Sequence, residues 1–337
     1  DFVMNEWEQV IIAQSITDRT GYFRANRAGR GVPLDRRSRA EVWKAIEELT
    51  RRLVDSNQRS YLQLAEAAAG YVANRSVKPY RHVVVDEAQD LHEAQWRLLR
   101  AIVAEDANDM FLVGDSHQRI YDRRSSLSKV GINIRGRSKK LRINYRTTHE
   151  ILGWSLALLG EASFDDLDGG EDPHNFAGYH SFRHGPRPVM SDHDSKKDQI
   201  DALVDQVRQW VADGTNEEFI GIATRGRGSF EAIERALVNS GREVCVLPTD
   251  LPRARGVRIG TMHRMKGLEF QCVAIADVDD HTIPSPNAIT SREDDPTQHA
   301  HDIKQEQCLL YVAATRARDK LWVGWSGRPS RFLGAVT

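Results

Sequence analysis

The chain has 337 residues, 40% of them hydrophobic and 28% charged, with a formal net charge of −1. That length supports full cores for two domains, and the near-zero charge means that any polyanion must be met by a local basic face rather than by bulk attraction. Cys245, Cys272 and Cys308 are scattered without C-x-x-C spacing, which argues against a zinc site or disulfide framework and for a reducing compartment. No apolar run reaches the length of a membrane span and no signal peptide opens the chain, so a cytoplasmic protein with no membrane partner is expected.

Residues 1–78 read as helical. Val42, Ile46, Leu49 and Leu53 fall on one face, as do Tyr61, Leu64, Ala65, Ala68 and Tyr71. After Pro79 come two short apolar runs, "HVVV" and "MFLV", separated by the helical pattern Trp96, Leu99, Ile102 and Val103. This is a β-α-β signature and predicts parallel strands covered by a helix. A helix over 148–159 precedes "EASFDDLDGGEDP", which reads as a loop or insertion. Ile200, Leu203, Val204, Val207, Trp210 and Val211 then mark a helix. "FIGIAT", a helix through Ile233 and Leu237, "EVCVL", "VRIGT", "CVAIA" and "LWVGW" complete a second α/β region. Residues 279–304, polar with Pro284, Pro286 and Pro296, read as one long loop, of a length that is usually functional or mobile.

The stretch "VVVDEAQD" sets Asp86 and Glu87 at the tip of an apolar strand. Open α/β sheets bind ligands at that end. One carboxylate can hold magnesium while its neighbour orients or deprotonates a water. On the residues alone, capping of the next helix is an equal reading, with Asp90 the better cap.

In order along the chain, "VVVDEAQD" is followed by "LVGDSHQRIY", "LRINYRTT", "IGTMHRMKGLEF" and "LLYVAATRARDKL". This series resembles motifs II to VI of the UvrD/Rep-like superfamily 1 DNA helicases, over roughly residues 79–326. The resemblance implies an α/β fold of two RecA-like parallel-sheet units, the first incomplete, with an N-terminal helical region. It divides the chain into a 1B-like accessory region at 1–78, a partial first RecA-like domain at 79–142 with motifs II and III, and a 2A-like domain at 143–337 with motifs IV to VI and a reduced insertion.

The resemblance also implies ATP and Mg2+ as cofactors, with Asp86 on the metal, Glu87 activating the attacking water and Gln118 sensing the γ-phosphate. It makes Tyr145 the adenine-stacking aromatic, Arg146 and Arg316 the guanidiniums on the γ-phosphate, and Glu269, beside Gly267, the ribose contact. Tyr121, Arg123, Arg124, Thr261 and His263 are implied to meet single-stranded or partly duplex DNA, and Arg123 stands where relatives commonly carry a base-stacking tryptophan. A DNA repair role, repair-protein partners and a monomer are expected on the same ground.

The family's first motif, a G-x-x-x-x-G-K-[ST] loop that cradles the phosphates, does not occur in the sequence. No lysine lies in a Gly-Lys-Ser or Gly-Lys-Thr context. Truncation or degeneration of the family architecture is the expected explanation, and ATP turnover by this chain alone is not expected. The alternative is a non-hydrolysing module that binds single-stranded DNA or a repair partner. Nine basic residues and one acid lie between Arg119 and Arg142, as a backbone-tracking groove requires. The N-terminal arginines Arg19, Arg24, Arg27, Arg30, Arg36, Arg37 and Arg39 offer a second positive face.

Overall fold

A computed structural model describes residues 2–27, 30, 32–120, 127–160, 164–165, 171–172, 178–247 and 255–335. The chain divides into two compact units. The first comprises 1–138 with 164–172 and 291–298, and the second comprises 139–163, 173–290 and 299–337.

The first unit opens with helix α1 (Phe2–Glu6) and a π-helical turn (Trp7–Ile12), followed by α2 (Arg19–Arg24), α3 (Arg36–Asp55) and α4 (Tyr61–Ala73). Short polar side chains start these helices. Asp18, Asp35 and Ser60 each accept a backbone N–H of the first turn, and Gln63 returns the bond at α4. The core joins Trp7, Val10, Ile11, Tyr22, Trp43, Ile46 and Leu62.

The expected face of α3 is the one buried, whereas that of α4 is not. Leu62 and Ala69 are buried, and Tyr61, Leu64 and Tyr71 face solvent. Because α4 is apolar nearly all round, "YLQLAEAAAGYVA", periodicity offers two stripes of similar weight. Packing selects the one next to α5 (Glu93–Ala101).

Strands β1 (Val83–Val85) and β2 (Met110–Leu112) pair in parallel, with α5 crossing between them, as the β-α-β pattern predicts. Val85, Ala88, Trp96, Leu127, Val130 and Ile132 form their core, where each fully buried large apolar side chain contributes about 1.5–3 kcal/mol. Asp90 is not the cap of α5. His92 takes that place, its Nδ1 accepting from the Ala94 N–H at 3.1 Å while Nε2 meets the Glu8 carbonyl at 3.0 Å. Arg97 on α5 donates to the carbonyls of Ile12 and Ala13 and to Glu66, which ties the β-α-β element to the helices before it.

In the second unit β3 (Ile143–Asn144) leads into α6 (His149–Leu159). The acidic insertion contributes a two-residue antiparallel ladder, β4 (Phe164–Asp165) with β5 (Glu171–Asp172), which belongs to the first unit. β6 (His180–Ser181) pairs with β3. Then follow β7 (Val189–His193), α7 (Lys196–Ala212), β8 (Ile220–Thr224), α8 (Phe230–Asn239), β9 (Val244–Val246), β10 (Val257–Thr261), α9 (Met262–Met265), β11 (Phe270–Ile275), α10 (Pro296–Ala314) and β12 (Ala317–Ser326).

The sheet order is β7-β12-β11-β8-β10-β9 and every pairing is parallel, so its apolar runs are buried on both faces. The reading of 279–304 as one loop is corrected, because helix α10 begins at Pro296. A proline is tolerated at a first helical position, and the Asp295 carboxylate accepts the Gln298 N–H at 2.8 Å, so the residue taken as a loop marker starts a helix. All three cysteines are free and buried. Among the described residues no helix is long and apolar enough to cross a membrane.

Candidate functional site

In the first unit, β1 delivers Asp86 and Glu87 at its carboxyl end. Glu87 has φ 51° and ψ 40°, a left-handed conformation that costs a non-glycine residue on the order of 1–2 kcal/mol. The turn is held by the Ala88 N–H on the Val113 carbonyl at 2.9 Å and by the Glu87 N–H on Asp86 Oδ1 at 2.8 Å. Asp86 is exposed.

Gln89, which the sequence reading passed over, is buried and connects the two predicted motifs. Its amide nitrogen donates to Glu87 Oε2 at 2.5 Å and its oxygen accepts the Asp115 N–H at 2.9 Å. Gly114 permits that approach, since a Cβ there would lie 2.7 Å from Gln89 Oε1 and 3.2 Å from the Ala88 Cβ. Asp115 in turn accepts from Gln118 Nε2 at 2.9 Å and from His117 Nδ1 at 2.8 Å. The predicted Glu87 and Gln118 are therefore joined through the Gln89 side chain and then the backbone N–H and carboxylate of Asp115.

Burial pushes the Asp115 carboxyl up, but the hydrogen bond and charge of His117 and the hydrogen bond from Gln118 outweigh it and hold the group below its ordinary range. Such a group stabilises the fold fully above its unfolded pKa, about 3.9, and that stabilisation is lost as pH falls through the lower folded value. The stability gap between wild type and Asp115→Asn in urea titrations should shrink as the pH falls below about 4. A gap that widens with acid would contradict this bonding pattern.

In the second unit, Asn144 folds back to accept the N–H groups of Arg146 and Thr147, and this turn projects Tyr145 outward at 72% exposure. The Tyr145 ring lies 6.4 Å from that of Phe182, tilted by 49°. Phe182 is a second exposed aromatic that the sequence reading did not select. Arg146 Nε pairs with Glu269 Oε2 at 3.0 Å, both half-exposed.

Gly267, at φ +79°, turns the chain between α9 and β11. Arg316 sits behind this turn, 2% exposed, with Nε on the Val312 carbonyl at 3.0 Å and Nη1 on the Leu268 carbonyl at 3.3 Å. As folded it braces the segment carrying Gly267 and Glu269. Arg146, Glu269 and Arg316, far apart in sequence, thus meet around one turn.

Thr261 ends β10 and caps α9 through the Arg264 N–H at 3.4 Å. Burial, and then the charge of Arg225, lower the His263 pKa against the opposing pull of Glu306. Arg225 and Glu306 form a bidentate pair at 2.6–3.0 Å. Tyr121, Arg123 and Arg124 lie outside the described residues. Among the described residues no group of three or more His, Cys, Asp or Glu forms a metal cage. A single exposed carboxylate such as Asp86 suits Mg2+ all the same, because that ion keeps several waters and takes one or two carboxylates together with substrate phosphates.

Residues 24–133 match the UvrD/REP helicase N-terminal domain and residues 248–328 the UvrD-like helicase C-terminal domain. The chain belongs to the UvrD/Rep-like helicases. It is 22% identical to the ATP-dependent DNA helicase UvrD2 of Mycobacterium tuberculosis H37Rv, over 92% of this chain and 59% of that protein. It is 25% identical to a probable DNA helicase of Mycoplasma pneumoniae, over 76% and 47%, and 30% identical to the DNA helicase PcrA of Staphylococcus aureus Mu50, over 36% and 17%. The chain spans about half the length of the first two relatives. Among solved structures it is similar to the C-terminal domain of a possible DNA helicase from Lactobacillus plantarum, with a TM-score of 0.41 and 21% identity over 58% of this chain and 94% of that one. The residues predicted for motifs II and III, Asp86 and Glu87 with Gln118, lie in one hydrogen-bonded set in the first unit.

Proposed function

We propose that the chain is the motif II to VI portion of an ATP-dependent translocase that moves on single-stranded DNA, and that by itself it does not turn over ATP. The observation that carries this reading is the Glu87–Gln89–Asp115–Gln118 connection at the carboxyl end of β1, which joins the carboxylate proposed to activate water to the amide proposed to face the γ-phosphate. Asp86 would hold Mg2+, which supplies charge neutralisation on the phosphate oxygens. Glu87 accepts the proton of the attacking water, and Gln89 fixes the carboxylate oxygen that does not take it. Gln118, held by Asp115, reports whether a γ-phosphate is present.

Tyr145 with Phe182 offers an aromatic surface for adenine, and Glu269 beside Gly267 a partner for ribose. Arg146, already aimed by Glu269, supplies a permanently charged fork for the γ-phosphate. Arg316 would reach phosphate only by releasing Val312 and Leu268, so its bonds make it a candidate for coupling phosphate release to a change in this turn. Thr261 and a largely neutral His263 are the proposed strand contacts, with Tyr121, Arg123 and Arg124 beside motif III.

The sequence lacks the Gly-Lys-Ser/Thr loop that anchors the phosphates, which favours a second reading in which the chain binds single-stranded DNA without hydrolysis. ATPase and DNA-binding assays on the 337-residue chain and its Glu87→Gln variant test both readings. The expected result is single-strand binding by both proteins with no Mg2+-dependent phosphate release. Mg2+-dependent release that Glu87→Gln abolishes would overturn the inactivity of the isolated chain, and absence of single-strand binding would overturn the translocase reading.

A further inference from the structure

Helix α2 and the start of α3 form an open depression of about 1090 Å³ in the first unit, lined by Arg19, Arg24, Arg36, Arg37 and Arg39 around Phe23, with no carboxylate in the lining. Five permanent positive charges share this space in a chain whose net charge is −1. The acids next to Arg19 and Arg36 in the chain, Asp18 and Asp35, serve as the caps of the two helices. Asp18 accepts the Gly21 N–H at 2.8 Å and Asp35 the Ser38 N–H at 2.7 Å, each starting its helix.

The arginines are also organised. Arg19 and Arg36 both lie over the Phe23 ring, at 5.0 and 5.7 Å, a contact that orients each guanidinium. Arg39 is locked by bonds to the carbonyls of Tyr22, Phe23, Ala25 and Leu34. It supplies fixed charge at the floor while Arg19, Arg24, Arg36 and Arg37 stay exposed. Holding like charges together costs electrostatic free energy that a bound anion relieves.

We infer that this depression docks the phosphodiester backbone of DNA, through residues other than those that the family resemblance assigns to the strand. Planar guanidinium forks match phosphate oxygens in pairs. Several forks around one open depression suit successive phosphates of a polymer better than one small anion. The contact is to backbone, because both guanidiniums lie over the Phe23 ring, at 5.0 and 5.7 Å, where a base would have to stack. It is therefore insensitive to sequence and steeply dependent on salt. The inference rests on the proposed DNA reading for the identity of the polymer.

The test is fluorescence anisotropy of labelled single-stranded and duplex DNA over a salt titration, comparing wild type with R19Q/R36Q/R37Q, which leaves the structural Arg39 in place. Unchanged thermal unfolding verifies the fold of the variant. The variant should bind at least one DNA form on the order of 10- to 100-fold more weakly at 50 mM salt, with the log–log salt slope reduced by about 2. R19K/R36K/R37K should recover part of the affinity and most of the slope. Equal affinity and slope in wild type and R19Q/R36Q/R37Q would overturn the inference and leave the DNA reading intact, whereas a wild type that binds no DNA would remove both. Loss of inorganic pyrophosphate binding by calorimetry with DNA binding unaffected would mark a small-anion site, and equal loss against poly-glutamate and DNA would mark a general acid-binding surface. Either result would overturn the inference.

Discussion

Replacing Glu306 with alanine is expected to destabilise the second unit by about 3–5 kcal/mol, the cost of stranding a buried charge. Glu306 is 4% exposed and takes three guanidinium contacts from Arg225 as well as the Ser285 N–H at 2.9 Å. Its removal leaves Arg225, only 17% exposed at the side chain, without a counter-charge. It also frees the loop that precedes α10.

The double variant R225M/E306A should regain most of the loss, since a well-packed apolar pair is often as stable as a buried ion pair. Urea unfolding followed by tryptophan fluorescence reads both values. An E306A midpoint shift worth under about 0.5 kcal/mol, the size of an ordinary surface change, would show that the pair is solvated. His263, whose pKa Glu306 raises against burial and Arg225, should become harder to protonate in E306A, which proton NMR can follow.

The second large effect is expected at Glu6, in the first unit. Glu6 is fully buried. It receives Arg27 Nε at 2.6 Å and Nη2 at 3.0 Å, and the Tyr22 hydroxyl at 2.8 Å. Burial, and then Glu6 itself, push the Tyr22 pKa up, so the phenol stays a donor. Glu6→Ala removes the counter-charge of Arg27, whose Nη1 keeps the Val32 carbonyl, together with the acceptor of the Tyr22 hydroxyl, for a loss of about 3–5 kcal/mol. Glu6→Gln keeps an acceptor for Tyr22 and should cost less.

Tyr22 stacks on Trp43 at 5.7 Å and lends its carbonyl to Arg39. Loosening this core should therefore blunt the arginine depression and weaken DNA binding. Full retention of both melting temperature and DNA affinity in E6A would refute the link.

The sequence made the central elements visible because central parallel strands are continuous apolar runs. "FIGIAT", "CVAIA" and "LWVGW" become β8, β11 and β12. The strand of the six-stranded sheet that it missed, β7, reads Val-Met-Ser-Asp-His and lies at the sheet edge, where one neighbour suffices and little apolar pattern is required. The exposed stripe of α4 misled because two apolar faces competed.

At the site, residues adjacent in the chain could be nominated by motif, but their connections could not. Arg146 with Glu269 and Gln89 with Asp115 are non-local pairs with no periodic signal. Gln89 was hidden by its surroundings, since an amide in the acidic stretch "DEAQD" reads as solvated until the close approach of Gly114 is seen. Nothing local in "ATRARD" announced that Arg316 would be buried behind the Gly267 turn.

The position of β12 has a consequence for how the second unit comes into being on the ribosome. It is made after the other five strands of its sheet, yet it lies between β7 and β11 rather than at a rim. While it remains in the exit tunnel, β7 has no partner and β11 presents an open rim to the cell. Nascent chains stalled before residue 317 should therefore be protease-sensitive and prone to strand addition, and the gain in resistance should come abruptly as β12 emerges, instead of strand by strand.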